Sequence, residues 1–400
     1  MSCAKIPFLD LRSHHQALEL DLMQAFKKVM DSDRFIGGAV LEEFENSFAS
    51  FCGSKYAVGV GSGTDALRFA LIACGVKSGD IVITVPNTFI ATTEAISQAG
   101  GVAVFVDVEE SSSIMSSKEL RRYLEENCFK DTVTGETINT RSGRPVRAIV
   151  PVHLYGQVAD MDSIIEIADL YNLIVIEDAC QAHGSQYYST VKKKWLRAGS
   201  IGAAAAFSFY PGKNLGAFGE AGAVTTDDLA ISERVRILRD HGQVSKYIHE
   251  IEGYNGRLDS IQASILSVKL PYLNSWNEQR RIIAQKYHEV LKTLPDLMIP
   301  KEASYSRSNY HLYVIHHGRR DALKAYLLEN NIESGLHYPV PLHLQKAYRH
   351  LGYRLGNFPV SEKLSKNLLS LPMHPFISDN DIERISIVLD NFTNNKEPVD

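Results

Sequence analysis

The sequence predicts an α/β fold in which a mostly parallel sheet carries helices on both faces. Between Tyr56 and Glu177, short apolar segments that favour strands alternate with segments of helical periodicity. This alternation is typical of a parallel sheet, because parallel strands are joined by long crossovers that are usually helices. After Asp228 the pattern changes to longer helices with few strands, which indicates a second, smaller α+β domain at the C-terminus.

The predicted elements follow in order along the chain. Two amphipathic helices at 15–30 and 41–51 precede the alternating region. In that region we predict strands at 56–60, 81–85, 102–108, 148–152 and 173–177, and helices at 64–74, 91–99, 118–126 and 161–171. Two further strands, 203–209 and 221–225, enclose a glycine-rich loop. The later predicted elements are helices at 258–270, 274–294, 320–330 and 379–391, and a strand at 310–316.

We place the domain boundary near Trp276, so that residues 1–275 form the large domain and residues 276–400 the small one. Residues 127–147, rich in threonine, glycine and charge, are predicted to form a surface insertion. Residues 187–197 contain three consecutive lysines, which can meet phosphates, although a solvated loop is the favoured interpretation. The last residues, 394–400, are predicted to be a frayed end.

Composition excludes several classes of protein. The chain has 400 residues, with 44% hydrophobic and 22% charged residues, as in an ordinary globular enzyme. A net charge of −5 argues against general binding to nucleic acid or to anionic membranes. No apolar run spans a bilayer and the N-terminus lacks a signal-peptide core, so a cytoplasmic protein is expected. Five scattered cysteines without a C-x-x-C pair predict neither disulfides nor a metal site.

Lys213 lies in the glycine-rich loop, among small and apolar residues. A lysine in a partly dry environment loses solvation, its pKa falls, and the neutral amine can form a Schiff base with a carbonyl. A lone loop lysine is more often simply solvated. Here Ser208 stands at the preceding strand end, where a hydroxyl can reach a phosphate. We therefore predict that Lys213 holds pyridoxal phosphate, which also needs a phosphate cradle, a partner for its pyridine nitrogen and a surface for its ring.

Two other strand ends offer residues for the phosphate and for the pyridine nitrogen. Gly63 and Thr64 join a strand to a helix start, where free N–H groups form an anion site, although an ordinary capped turn would look the same. Asp178 follows a buried strand, and its carboxylate needs a cation, which a protonated pyridine nitrogen would be. A salt bridge or a helix cap is the alternative interpretation for Asp178.

Two aromatic side chains at strand ends are weaker candidates. Phe89 can stack on a cofactor ring, although a lone phenylalanine more often packs in the core. His153 is expected to be a structural hydrogen-bonding residue rather than a catalyst.

Together these segments resemble the pyridoxal-phosphate-dependent sugar-nucleotide aminotransferases, the DegT group within fold-type I of the aspartate aminotransferase superfamily. The resemblance covers nearly the whole chain from about Phe8 and is carried by EDACQAHG, SFYPGKNLG, GYNGRLDSIQAS, HYPVPLHLQKAY and SLPMHP.

The resemblance implies a role for each matching residue. Lys213 matches the lysine that binds the cofactor covalently, Asp178 the partner of the pyridine nitrogen, and Gln181 the residue near the phenolic oxygen. Phe89 matches the stacking ring. The phosphate anchors would be Gly63, Thr64 and Ser208, with Asn255 reaching the phosphate of the neighbouring subunit. That last role implies a homodimer with shared active sites.

The implied function is transamination of a nucleotide-linked keto sugar with L-glutamate as amino donor. The segments PNTFIAT and GSGTDAL are most similar to the branch that aminates C3 of dTDP-3-keto-6-deoxyhexoses, in deoxyamino-sugar biosynthesis for lipopolysaccharide or antibiotics. Amination at C4 and aminocyclitol formation remain open. A sugar dehydratase of this fold would have histidine in place of Lys213, and a non-catalytic regulator would tolerate losing Lys213, Asp178 or Ser208.

Overall fold

A nine-stranded sheet forms the centre of the molecule. The structure, a computed structural model, describes residues 4–294, 296–299 and 301–394. The helices are α1 (Leu11–Gln16), α2 (Glu19–Ser32), α3 (Ala39–Cys52), α4 (Gly63–Ala73), α5 (Ala91–Gln98), α6 (Ser117–Asn127), α7 (Met161–Leu170), α8 (Leu229–Arg239), α9 (Ser260–Lys269), α10 (Leu273–Leu291), α11 (Arg320–Glu329), α12 (Pro359–Asn367) and α13 (Asp379–Asn394).

The strands are mostly short. They are β1 (Tyr56–Val60), β2 (Ile81–Thr84), β3 (Val102–Phe105), β4 (Cys128–Lys130), β5 (Thr137–Asn139), β6 (Pro145–Ile149), β7 (Ile174–Asp178), β8 (Gln186–Ser189), β9 (Lys194–Arg197), β10 (Ala204–Ser208), β11 (Gly222–Thr226), β12 (Gln243–Ser245), β13 (Ile248–His249), β14 (Leu297–Met298), β15 (Ser306–Arg307), β16 (Tyr313–His317) and β17 (Leu368–Leu371).

The central sheet has the strand order β1-β11-β10-β7-β6-β2-β3. The strands from β10 to β3 run parallel to one another, whereas β11 is antiparallel to both of its neighbours. Since the carboxyl ends of parallel strands meet at one edge, the residues that follow β6, β7 and β10 lie close together there. The predicted α/β fold with a mostly parallel sheet is confirmed.

Helices cover both faces of this sheet. Val82 and Ile83 of β2 are fully buried but belong to different hydrophobic clusters, because successive side chains of a strand point to opposite faces. The cluster around Ile83 includes side chains from α3, α6, α7 and α9, and the cluster around Val82 includes side chains from α4, α5 and α8.

A third cluster of buried side chains lies in the C-terminal part of the chain. It contains residues of α10, α11 and α13 together with the small antiparallel sheet β14-β16-β17, and it also takes in Ile6 from the N-terminus. This is the region predicted as the small domain, and the division at residue 276, within α10, stays a prediction. Among the described residues, none of the helices has both the length and the apolar character that a membrane crossing requires.

There are five main differences from the predicted secondary structure. The single helix at 15–30 is two helices, because Asp10 caps an earlier start by accepting from the Ser13 N–H at 2.9 Å and the chain turns at Leu18. The insertion at 127–147 is a hairpin that extends the sheet, since β5 pairs with β4 and β6. Likewise 187–197 is not a loop but largely the hairpin of β8 and β9.

The fourth difference follows Asp228, where no helix was predicted. Its carboxylate accepts from the Ala230 N–H at 2.7 Å and starts α8, which still packs on the central sheet. Helix α12 was also not predicted. Of the end predicted to fray, Asn394 is the last residue of α13 and the rest lies outside the described residues.

Candidate active site

A cavity of about 460 Å³ opens at the carboxyl edge of the central sheet. This volume is within the range of small-molecule sites. Seven of the eight predicted site residues line the cavity, and these are Gly63, Thr64, Phe89, Asp178, Gln181, Ser208 and Lys213. The exception is Asn255. It is exposed, it does not line the cavity of its own chain, and its Oδ1 accepts from Arg257 Nη2 at 2.8 Å.

Strand pairing brings Asp178 and Ser208 close together. In the parallel register of β7 and β10, Ala206 lies opposite Asp178, so Ser208 ends the neighbouring strand two residues further on. Helix α4 starts beside them, capped by Ser62, whose hydroxyl accepts from the Asp65 N–H at 3.0 Å. A Cβ at Gly63 would lie 2.6 Å from the Cβ of Ser208, so only glycine lets the helix N-terminus approach this strand end.

Asp178 is a nearly buried carboxylate, 7% exposed. Its Oδ2 accepts from the hydroxyl of Thr92 at 2.8 Å, and its Oδ1 accepts from the Cys180 N–H at 3.2 Å. The hydroxyl of Thr88 lies 2.9 Å from that of Thr92. Within the described part of the chain, no ion pair neutralises Asp178. The salt bridge, which was the alternative interpretation, is therefore not formed among these residues, although Asp178 and Lys213 interact electrostatically. A buried carboxylate of this kind can pair with a cationic ligand.

Glu177, the residue before Asp178, has a different role. It is fully buried on the other side of the strand and accepts from His153 Nε2 at 2.9 Å and from the Gly199, Ile201 and Gly202 N–H groups. Burial raises the pKa of Glu177, but the hydrogen bonds from His153 and from the Gly199 and Gly202 amides bring it below its ordinary value. Since His153 Nδ1 accepts from the Ala159 N–H, its Nε2 carries the proton. His153 is thus the structural hydrogen-bonding residue that the sequence predicted.

Lys213 projects from a tightly folded loop between β10 and β11. Its N–H donates to the Tyr210 carbonyl and the Ala217 N–H donates to the Phe209 carbonyl, both at 2.8 Å. Burial lowers the pKa of the Lys213 amine, while Cys180 and Asp178 act in the opposite direction and leave a net decrease. A larger fraction of this amine is therefore neutral near pH 7 than in an exposed lysine.

Gln181 and Phe89 form part of the cavity wall with Tyr338. The side-chain oxygen of Gln181 accepts from the Tyr155 N–H at 2.6 Å, and its Nε2 donates to the Tyr338 hydroxyl at 3.3 Å. The ring of Phe89 is 53% exposed, and its centroid lies 5.5 Å from that of Tyr338. Core packing, the favoured interpretation for a lone phenylalanine, is therefore wrong for Phe89.

Several cavity residues were not predicted individually. They are Thr88, Thr92, His311, His337 and Tyr338. Two of the segments that contain them, PNTFIAT and HYPVPLHLQKAY, are among those that carry the family resemblance. Their roles depend on contacts between distant parts of the chain, such as the hydrogen bond that joins Thr92 to Asp178, 86 residues apart.

Comparison with known proteins decides the family. The model of the DegT/DnrJ/EryC1/StrS aminotransferase family matches residues 16–389. The chain belongs to this family. It is therefore an aminotransferase, and the cofactor of the family is pyridoxal phosphate.

Three similar proteins illustrate the relationship. The "Erythromycin biosynthesis sensory transduction protein EryC1" of Saccharopolyspora erythraea is 41% identical over 93% of this chain and 95% of its own. The "dTDP-3-amino-3,6-dideoxy-alpha-D-galactopyranose transaminase" of Aneurinibacillus thermoaerophilus is 41% identical over 95% of this chain and 97% of its own. The crystal structure of DesV from S. venezuelae, 38% identical, superimposes with a TM-score of 0.90 and covers 99% of this chain and 100% of that chain.

The cavity of this aminotransferase fits pyridoxal phosphate. The neutral form of the Lys213 amine can bond to an aldehyde, and the carboxylate of Asp178 can pair with a cation. The N-terminus of α4, which Gly63 brings against Ser208, suits a phosphate. The exposed ring of Phe89 suits an aromatic face.

Lys213 should titrate below the exposed lysines in the cofactor-free aminotransferase. Because burial lowers its pKa, its neutral, nucleophilic form should appear at lower pH than that of an exposed lysine, whose pKa is about 10.4. Acetylation with acetic anhydride over a pH series, read peptide by peptide by mass spectrometry, measures the midpoint. Pyridoxal phosphate added first should protect Lys213 alone. A midpoint at or above that of the exposed lysines would contradict the burial argument.

Asp178→Ala should slow transamination strongly. The expected ion pair joins Asp178 to the protonated ring nitrogen of the cofactor. Removing one partner of a buried ion pair costs about 3–5 kcal/mol, so turnover should fall by roughly two to four orders of magnitude if most of this cost is felt in the transition state. Steady-state kinetics of the holoenzyme measures the effect. Asp169→Ala, an exposed carboxylate on α7, is the control and should behave as wild type. Turnover of Asp178→Ala within about threefold of wild type would rule out the assignment.

Proposed function

We propose that this aminotransferase converts a nucleotide-linked keto sugar, with dTDP-3-keto-6-deoxyhexose as first candidate, into the amino sugar, and that L-glutamate donates the amino group. The observation that carries the proposal is that Lys213 and Asp178 face one cavity of ligand size. The name of the A. thermoaerophilus relative, which specifies a dTDP-linked 3-amino-3,6-dideoxy sugar, supports the choice of sugar, nucleotide and carbon.

In the proposed site, pyridoxal phosphate would be held at five places. Lys213 would hold its aldehyde carbon, Asp178 its ring nitrogen, Gln181 its phenolic oxygen and Phe89 one face of its ring. The phosphate would lie against the start of α4 and the end of β10, bound by Gly63, Thr64 and Ser208. When bound, the cofactor supplies an electron sink that makes the Cα proton of an amino acid removable.

The residues of the chain do the proton transfer. Once free, Nζ of Lys213 would take the proton from Cα of the donor as a general base and deliver it as a general acid to C4′, the former aldehyde carbon of the cofactor. Its lowered pKa favours the first of these roles near neutral pH, because more of the amine is unprotonated. Asp178, held by the hydroxyl of Thr92, would keep the ring nitrogen of the bound cofactor protonated. The same residues act in reverse on the keto sugar.

A non-catalytic regulator is the second candidate, because the S. erythraea relative is named a sensory transduction protein. A non-catalytic regulator would not need a buried carboxylate without an ion-pair partner in the same cavity as a lysine with a lowered pKa. The chain keeps Lys213, Asp178 and Ser208 around one cavity, which favours catalysis.

The substrate is tested with a panel of keto compounds. The purified holoenzyme is incubated with isotopically labelled glutamate and, separately, with dTDP-3-keto- and dTDP-4-keto-6-deoxyglucose, a UDP-linked 3-keto sugar and a keto-inositol. Mass spectrometry should find labelled nitrogen in the dTDP-3-keto product, and none with Lys213→Ala. Label in the 4-keto or inositol product instead would establish the C4-aminating or aminocyclitol alternative. No label in any product, with the cofactor bound, would refute the sugar assignment.

The shared active site is the second part of the proposal. Asn255 is exposed and lies outside the cavity of its own chain, as expected of a residue that reaches the cofactor phosphate of a partner subunit in a homodimer. Asn255→Asp would place a negative charge beside that phosphate and weaken cofactor binding.

A mixed dimer tests this arrangement. One subunit carries Lys213→Ala and the other Asn255→Asp, so one site receives both changes and the other is wild type. The isolated heterodimer should show about half of wild-type activity, because one of two symmetric sites is intact. If Asn255 serves its own subunit, each site carries one change and activity does not exceed the mean of the two parent homodimers.

A further inference from the structure

Lys269, the last residue of α9, is a buried cation with an unusual set of partners. Its side chain is 1% exposed. Its Nζ donates to the Gly216 carbonyl at 2.7 Å, lies 3.1 Å from Nε2 of His15, and lies 4.6 Å from the centroid of the Phe218 ring. No carboxylate pairs with it in the ranges that the structure describes. A buried ammonium is costly unless it is well satisfied, so these three contacts must compensate its lost hydration.

His15 is suited to accept a hydrogen bond from this ammonium. Burial and the charge of Lys269 lower the pKa of His15 to about 4, so its imidazole is neutral near pH 7. Burial lowers the pKa of Lys269 to about 8, which leaves most of the amine charged at that pH. The neutral Nε2 of His15 can therefore act as acceptor, and the His15 ring meets the Phe218 ring edge-on at 4.6 Å. Helix α1 is tied to α9 in this way.

The other partners of Lys269 belong to the loop that carries Lys213. Gly216 and Phe218 follow Lys213 closely, and the Phe218 N–H donates to Oε1 of Gln262 on α9 at 2.8 Å. Gly216 packs so closely on the first part of the loop that a Cβ there would lie 2.3 Å from the Pro211 carbonyl oxygen. The position of the Gly216 peptide therefore constrains the whole turn around Lys213.

The opposite side of the same turn is also fixed. The side-chain amide of Asn214, next to Lys213, donates to Oδ1 of Asn277 at 2.9 Å and to the Asn309 carbonyl at 3.2 Å. Two anchors therefore follow Lys213 directly in the same turn, one at Asn214 and one at Gly216. The first anchor is held by neutral amides, whereas the second is held by the buried charge of Lys269.

We propose that Lys269 is a positioning residue that, with His15 and Phe218, fixes the active-site loop so that Lys213 faces the cofactor. The proposal rests on the assignment of Lys213 to the cofactor. Lys269 acts through the geometry of the loop, because burial accounts for the lowered pKa of Lys213, against the opposing effects of Cys180 and Asp178. The competing explanation is that Lys269 only stabilises α9, as a cation at a helix C-terminus does.

Cofactor binding to the apoenzyme separates the two explanations. Lys269→Met keeps the length of the side chain but removes its charge and its donors. It should raise the dissociation constant of pyridoxal phosphate by about tenfold or more, the value of a hydrogen bond to a charged group. It should also decrease the visible absorbance of the covalently held cofactor. Lys269→Arg, which restores charge and donors, should recover part of both. Fluorescence titration and absorption spectra supply these readouts without any assay of turnover.

Ile265→Val is the matched control. Ile265 is buried on the same helix, in a cluster with Leu18, Leu22 and Trp276 that contains no residue of the loop. It should lower the melting temperature slightly and leave cofactor affinity unchanged. An unchanged dissociation constant for Lys269→Met, or one raised only as much as that of Ile265→Val, would overturn the proposal.

Two further measurements keep the test decisive. If Lys269→Met does not fold, Phe218→Leu takes its place, because this ring is partly exposed and its loss should still weaken cofactor binding. Unchanged binding by Phe218→Leu would then overturn the proposal. Borohydride reduction of the wild-type holoenzyme, followed by peptide mapping, tests the assignment of Lys213 separately. An adduct on Lys213 together with unchanged binding by the variants would refute the role of Lys269 alone.

Discussion

The parallel pairing of β7 with β10 is the contact on which the site depends. It places Asp178 and Ser208 on adjacent strand ends, and α4 can then bring its N-terminus against Ser208 because Gly63 has no side chain. The loop that leaves β10 carries Lys213 back over the same edge. A carboxylate, an anion-binding helix start and an amine of lowered pKa therefore surround one cavity.

The strands that carry the candidate site residues could be predicted because they are short, apolar and bounded by glycine or polar residues, as β7 and β10 are. Site residues at strand ends could be predicted for the same reason, since Asp178 and Ser208 stand where ligands bind in such sheets. The partners of these residues could not be predicted. Thr92 reaches Asp178, and Tyr338 reaches Gln181, only after chain segments distant in sequence have packed together. The hairpins at 127–147 and 187–197 were missed because their polar composition resembles that of loops.

The segment around Tyr338 shows how the C-terminal part of the chain contributes to the site. The Tyr338 hydroxyl accepts from Gln181, and the Tyr155 hydroxyl donates to the His337 carbonyl, so two contacts join this segment to the strands of the central sheet. The cavity is thus closed by residues from both of the regions predicted as domains. A change in their relative position would alter the wall formed by Phe89 and Tyr338 directly.

Glu177 gives the sheet a built-in sensitivity to acid. The pKa of this carboxyl in the folded protein lies below its ordinary value of 4.5, so the ionised group stabilises the fold above that pH. That stabilisation is lost as the pH falls through the folded pKa, when protonation removes an acceptor from the Gly199, Ile201 and Gly202 N–H groups. Those residues lead directly into β10. Acid would therefore weaken the contacts of the segment that leads into the strand carrying Ser208.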